Sequence, residues 1–318
     1  MERISEKLKQ RFCKNCNIPI NIFAEPYFLF RIYQFDDIYG TVEKYHIFLN
    51  EIKKYSCEQD YFEEYNKIKD CAICTIKDSE GFKKFNNLDM NQFAISDEYK
   101  SITSNAIYHT ANDGKRFISI DMKKANFTAL NHYDKSIFNS DTWEDFIRKF
   151  TDNEHIIQSK YIRQVILGNC NPRRQVTYAR YLTSRMIPVL EKIDGAIFAT
   201  QNIVSLVSDE IVYDVSEYDE TRISSLINIV ESLPEMDQFE CTYFTLYDVA
   251  EYAYIKKIND KKIKIKCAES EFLPYIIRRI STNQDCVNYD LYFTFKGQLA
   301  KFDNFPDKLV NFEWEKFK

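Results

Sequence analysis

The chain has 318 residues, 45% hydrophobic and 15% aromatic, enough for a sizeable core in two domains or one large one. Only six Gly and seven Pro argue against long flexible linkers, and no run of apolar residues is long enough for a membrane span. The formal net charge of −5 gives no global basic surface for nucleic acid, so local clusters of cations must decide that question. The opening segment, MERISEKLKQRF, lacks the apolar centre of a signal peptide, so an intracellular protein, cytoplasmic or nuclear and not secreted, is expected. Thiols stay reduced there, so the nine cysteines suggest buried thiols or metal ligands before disulfides.

Residues 1–95 mix helical periodicity with short extended pieces such as YFLFRIYQF (27–35), which predicts an α+β N-terminal module. Two Cys-x-x-Cys pairs lie in it, Cys13 with Cys16 and Cys71 with Cys74. Together they can supply four thiolates to one structural Zn²⁺. The alternative is that Cys71 and Cys74, within apolar DCAICTI, pack as small hydrophobes.

From residue 96 the texture changes. GKRFISIDM (114–122) predicts a strand centred on Phe117 to Ile120 that ends in an acid. EHIIQSKYIRQVILGN (154–169) predicts one helix, stopped by Gly168 and Asn169. A second helix restarts at once, with Asn171 as cap, Pro172 at the first position and a buried stripe of Val176, Ala179, Leu182, Met186 and Val189. QNIVSLVSDEIVYDV (201–215) predicts a tight hairpin with Ser208, Asp209 and Glu210 at its tip. A helix over 220–233, a strand over 240–249 and a hairpin over 253–266 turning at Asn259 and Asp260 follow. Lys256, Lys257, Lys262, Lys264 and Lys266 crowd that last hairpin. They could track a nucleic-acid backbone or simply guard a sheet edge against pairing.

The central region thus offers a strand ending in Asp121, two helices with cations, and a hairpin tipped by Asp209 and Glu210. Such parts suit two-metal phosphoryl transfer, in which carboxylates on rigid strands hold two Mg²⁺ about 3.5–4 Å apart. Taken one at a time, they read more readily as solvated turn and strand-end acids.

ISIDMKKANF (118–127) resembles the first catalytic motif of palm-domain nucleic-acid polymerases, its Asp-x-x-x-Ala-x-Phe layout being especially similar to that of reverse transcriptases. VSDEIVYDV (207–215) is similar to the third motif of the family A DNA polymerases, and KYIRQVILGNCNPRR (160–174) occupies the place of the second. AEYAYIKKINDKKIKIK (250–266) looks like the lysine-bearing strand that follows the third motif in some replicative polymerases. About half the chain is covered, and the order of the motifs carries the likeness.

The resemblance implies an α+β protein: a polymerase-like palm, an antiparallel sheet with helices on one face, behind the N-terminal module. The palm core with its inserted fingers-like helices would span 96–235, and the rest of the palm with a small thumb-like region 236–318. It implies nucleotidyl transfer to a 3′-hydroxyl with Mg²⁺ or Mn²⁺ on Asp121 and Asp209 and with Glu210 in support. Lys160, Arg163, Arg173 and Arg174 would face the triphosphate. Asn126 or Phe127 would meet the sugar. Partners would be nucleic acid and nucleoside triphosphates, with no membrane. Two other readings stay open: an inactive palm-like, zinc-containing nucleic-acid-binding protein, and a structural or assembly protein.

Overall fold

The computed structural model describes residues 4–102, 107–258 and 262–317. The first part of the chain is helical: α1 (Glu6–Cys16), α2 (Tyr27–Gln34), α3 (Asp36–Tyr39), α4 (Thr41–Ile52), α5 (Glu58–Asp78) and α6 (Glu80–Asn87). The α+β expectation for this module is therefore corrected, since no described residue before position 96 is in a strand. YFLFRIYQF is the cause of the error. Phe28, Arg31, Ile32 and Phe35 are its buried positions, a spacing of three and four that belongs to a helix rather than a strand.

A short α7 (Asp97–Lys100) leads to β1 (Arg116–Met122). Then come α8 (Ala125–Tyr133), α9 (Trp143–Arg148), α10 (Glu154–Ile157), α11 (Lys160–Gly168) and the long α12 (Pro172–Ile193). The helix expected over 154–169 is split in two because Ser159 caps afresh, its hydroxyl accepting from the Ile162 amide at 3.2 Å. Asn171 does not cap α12. It takes a left-handed conformation, and its side chain donates to Asn86 at 3.0 Å instead. Val176 is 44% exposed, so the buried stripe runs through Tyr178, Ala179, Leu182, Met186, Ile187 and Leu190.

The remaining elements are β2 (Ile203–Leu206), β3 (Glu210–Asp214), α13 (Glu220–Glu231), β4 (Phe239–Ala250), β5 (Ala253–Lys257) and β6 (Ile263–Lys266). α14 (Leu273–Thr282), the hairpin β7 (Tyr292–Phe295) and β8 (Gln298–Lys301), and α15 (Asp307–Val310) close the chain. The turn expected at Asn259 and Asp260 lies outside the described residues.

Six strands form one antiparallel sheet in the order β2-β3-β1-β4-β5-β6. Helices fill the connections from β1 to β2 and from β3 to β4, giving a β-α-β-β-α-β arrangement with β1 central. Strand alternation then sorts the faces. Ile118, Ile120, Met122, Ile211 and Tyr213 enter the main core, which includes side chains from Leu8 to Ile277 and so takes in the N-terminal helices. On the other face only a small cluster, Phe117, Val212, Phe244, Leu246 and Tyr254 with Ile107, is buried, and the polar residues of β1 share that face.

Asp290 locks the two ends of the chain together. It is fully buried and takes hydrogen bonds from Arg31 at 3.3 Å and Gln34 at 2.7 Å, both on α2, and from Arg278 on α14 at 3.3 Å. Burial pulls the Arg31 guanidinium down to about 10, with Asp290 opposing that shift. Asp290→Ala leaves the buried Arg31 and the half-buried Arg278 without their carboxylate and is expected to cost about 3–5 kcal/mol. A urea titration should show a lower midpoint with an unchanged slope; an unmoved midpoint would dismiss the lock.

Candidate functional site

Strand pairing brings Asp121 to the acidic hairpin. In the β1–β3 register Asp121 lies opposite Glu210, and the Met122 amide donates to the Asp209 carbonyl at 2.7 Å. The turn closes with the Val207 amide on the Glu210 carbonyl at 3.0 Å, so Asp209 sits in the turn while Glu210 opens β3. Thr183 of α12 donates to the Ser208 carbonyl at 3.1 Å, and the Ser208 hydroxyl donates to Asp209 at 3.0 Å. The hairpin tip is thereby fixed from both the helix and its own side chains.

On its other flank Asp121 pairs with Glu240 of β4, so three carboxylates form a row across β3, β1 and β4. Like charges placed opposite one another are destabilising. Each outer acid has a lysine: Lys256 lies 3.4 Å from Glu210, and Lys262 lies 3.5 Å from Glu240. Asp121 has no ion pair of its own among the described residues, and Lys264 acts on it only as a nearby charge. Burial pushes its carboxyl up to about 6, with Glu210 and Asp209 adding to the rise. Sequence reasoning missed Glu240, because only the register of β4 reveals it.

A cavity of about 270 Å³ opens beside Asp121 and Asp209. Its wall includes Asn126 from the first turn of α8 and Lys160, Arg163 and Gln164 from α11. The positive end of the α8 dipole therefore borders this space. The side chains of Lys160 and Arg163 make no ion pair or hydrogen bond among the described residues. Burial pulls the Arg163 guanidinium down, and the charge of Glu144 opposes it. Two unmatched cations thus share a cavity with two carboxylates. An occupant carrying both phosphate and divalent metal would satisfy both sets.

Several expected residues stand elsewhere. Phe127 is buried, its ring 4.6 Å from Phe138 and 6.2 Å from Trp143. Arg174 donates to the carbonyls of Phe85, at 3.0 Å, and Leu88, so it clamps α6. Arg173 is exposed and is not part of the cavity wall. Lys257 falls on the opposite strand parity and donates to the Lys316 carbonyl at 2.9 Å. Lys256 is 6% exposed and Lys262 is paired, so neither is a free phosphate contact. Lys264 and Lys266 share the site face by alternation and are half-buried.

The four cysteines are not brought together. Cys13 is buried on α1 and Cys16 half-buried, whereas Cys71 and Cys74 are exposed on α5. Among the described residues no group of three or more His, Cys, Asp or Glu could hold a metal. Helical packing explains this: α1 turns Cys13 into the core, where burial pushes the thiol up and favours its neutral form. The same observation makes the Asp121–Asp209 site a pair of carboxylates and not a cage, so water and phosphate oxygens would have to complete an Mg²⁺ shell.

Comparison with known protein families, curated proteins and solved structures finds no match to this chain.

Two outcomes are expected. A Cys71→Ser/Cys74→Ser variant should stay within about 0.5 kcal/mol of wild type, and a zinc chelator should not move the melting temperature; a drop with chelator would restore the zinc site. The second concerns pH. Because folding raises the Asp121 pKa from 3.8 to about 6, its contribution to metal-free stability is fully present below about pH 4 and is lost as pH rises through about 6. Thermal melts in a chelating buffer should show that loss in wild type and a shallower one in Asp121→Asn. Identical slopes would mean that Asp121 titrates normally.

Proposed function

We propose that the protein is a nucleotidyltransferase of the palm-polymerase kind, adding nucleotides to a 3′-hydroxyl by a two-metal mechanism. The observation that carries the reading is the meeting of Asp121, Asp209, Lys160 and Arg163, from three separate parts of the sequence, around one cavity. The central position of β1 between the hairpin and β4 supports a palm-like sheet, with the helices on one face.

In this reading Asp121 and Asp209 hold the Mg²⁺ or Mn²⁺ pair. When bound, that pair would supply activation of the attacking 3′-hydroxyl and charge stabilisation for the pyrophosphate leaving group. Lys160 and Arg163 receive the triphosphate, the guanidinium by paired hydrogen bonds and the ammonium as a point charge. The first turn of α8 adds backbone amides at its positive end. Asn126, in the cavity wall, takes the position facing the sugar, while buried Phe127 does not. A neighbouring cavity of about 570 Å³ between α1, α11 and β6 shares Gln164 with the first and also includes Lys14, Tyr39 and Tyr161. That larger space has no carboxylate in its lining, so it suits a strand of nucleic acid better than the metal chemistry.

The test is primer extension with purified protein, Mg²⁺ or Mn²⁺ and nucleotides of both sugar types. Asp121→Ala and Asp209→Ala should each lower turnover by about 10³-fold or more, a loss of roughly 4 kcal/mol of transition-state stabilisation. Arg163→Ala should act mainly through a raised KM for the triphosphate. Extension that survives both aspartate substitutions would overturn the assignment.

A further inference from the structure

Glu210 and Lys256 are the two residues of this face whose sequence-based roles fit the geometry least. Glu210 was expected beside the metals and Lys256 on a phosphate backbone. In the fold, Glu210 Oε1 accepts from the Ser119 hydroxyl at 2.6 Å and lies 3.4 Å from Lys256 Nζ. Lys256 reaches it from β5, across β4 and β1, and its side chain is 7% exposed. Its ammonium sits 4.4 Å from the ring centre of Phe244 and 5.6 Å from that of Tyr108. Three independent contacts therefore hold the lysine where it is. One carboxylate oxygen of Glu210 is already committed to two donors.

We propose that Lys256 and Glu210 form a neutral positioning pair, which holds Glu210 out of the metal shell so that Asp121 and Asp209 supply the only protein carboxylates. The inference rests on the two-metal reading above and specifies its ligand set. Its physical basis is charge balance. Asp121 stands between Glu210 and Glu240, and an unpaired Glu210 would swing toward any divalent ion bound to Asp121. A buried lysine placed against two rings, with the Ser119 hydroxyl donating to the same Glu210 oxygen, prevents that swing. The pair as a whole carries no net charge, so it leaves the field at the metals nearly unchanged.

This predicts a particular pattern of Mn²⁺ affinity, read from free Mn²⁺ by electron paramagnetic resonance, with circular dichroism confirming the fold of each variant. Asp121→Asn should weaken binding by about tenfold or more, ~1.4 kcal/mol. Glu210→Gln alone should weaken it by leaving an unmatched ammonium nearby, and Lys256→Met alone should tighten it by freeing a carboxylate. The double variant Glu210→Gln/Lys256→Met should return to within about twofold of wild type, the signature of a coupled pair. It is also the variant best suited to fold, because a buried ion pair replaced as a unit leaves no orphaned charge. A double variant as weak as Asp121→Asn would make Glu210 a ligand and overturn the proposal. Crystals soaked in Mn²⁺ give a second reading that needs no variant. Glu210 should remain on Ser119 and Lys256, and an oxygen of Glu210 at coordination distance from the metal would overturn the proposal directly. Wild-type protein that binds no Mn²⁺ at millimolar concentration would overturn the two-metal reading itself, an outcome distinct from either of these.

Discussion

Three carboxylates side by side across adjacent strands, Glu210, Asp121 and Glu240, are the constraint around which the open face of the sheet is arranged. Such a row opposes folding on its own, since like charges in register repel and β1 is the central strand of the pairing. The surrounding residues answer it unevenly. Lys256 and Lys262 compensate the two outer acids, and Asp121 is left with a raised affinity for its proton. In the proposed reading, a central carboxylate without an ion-pair partner is the one a metal would take.

The helical layer supplies the complement. α11 brings Lys160 and Arg163 to the same cavity without carboxylates to match them, and the fresh cap at Ser159 sets the direction of that short helix. α12 holds the hairpin tip through Thr183. The N-terminal helices pack into the same core as the sheet. They therefore brace α10 and the cap of α11, as the contacts of Asn15 with His155 at 2.9 Å and of the Ser159 hydroxyl with the Asn15 carbonyl at 3.3 Å illustrate. No helix among the described residues is long and apolar enough to cross a membrane.

Much of the central region was legible in the sequence. The run before Asp121, the helix beginning at Pro172, the hairpin around Asp209 and the strand over 240–249 all appear close to where periodicity and turn residues put them. Local chemistry is sufficient there: alternation marks strands, and Pro172 marks a first turn. The N-terminal segment was misread where a short aromatic run satisfies both periods, and only burial of Phe28, Ile32 and Phe35 shows which one applies. The cysteine pairs failed for a related reason. Spacing brings two thiols together within a pair, but the packing of α1 against its neighbours decides whether the two pairs meet.

What the sequence by itself determined is the set of chemically capable residues and the order in which they come: acid, cations, acid pair, lysines. The tertiary structure alone decided which of them act together. Register chose Glu240 as a neighbour of Asp121, strand parity sent Lys256 and Lys257 to opposite faces, and burial turned Lys256 from a surface cation into a partner for Glu210. Charge interactions depend on distances of a few ångströms and on the loss of water. A one-dimensional pattern fixes neither until the strands have paired.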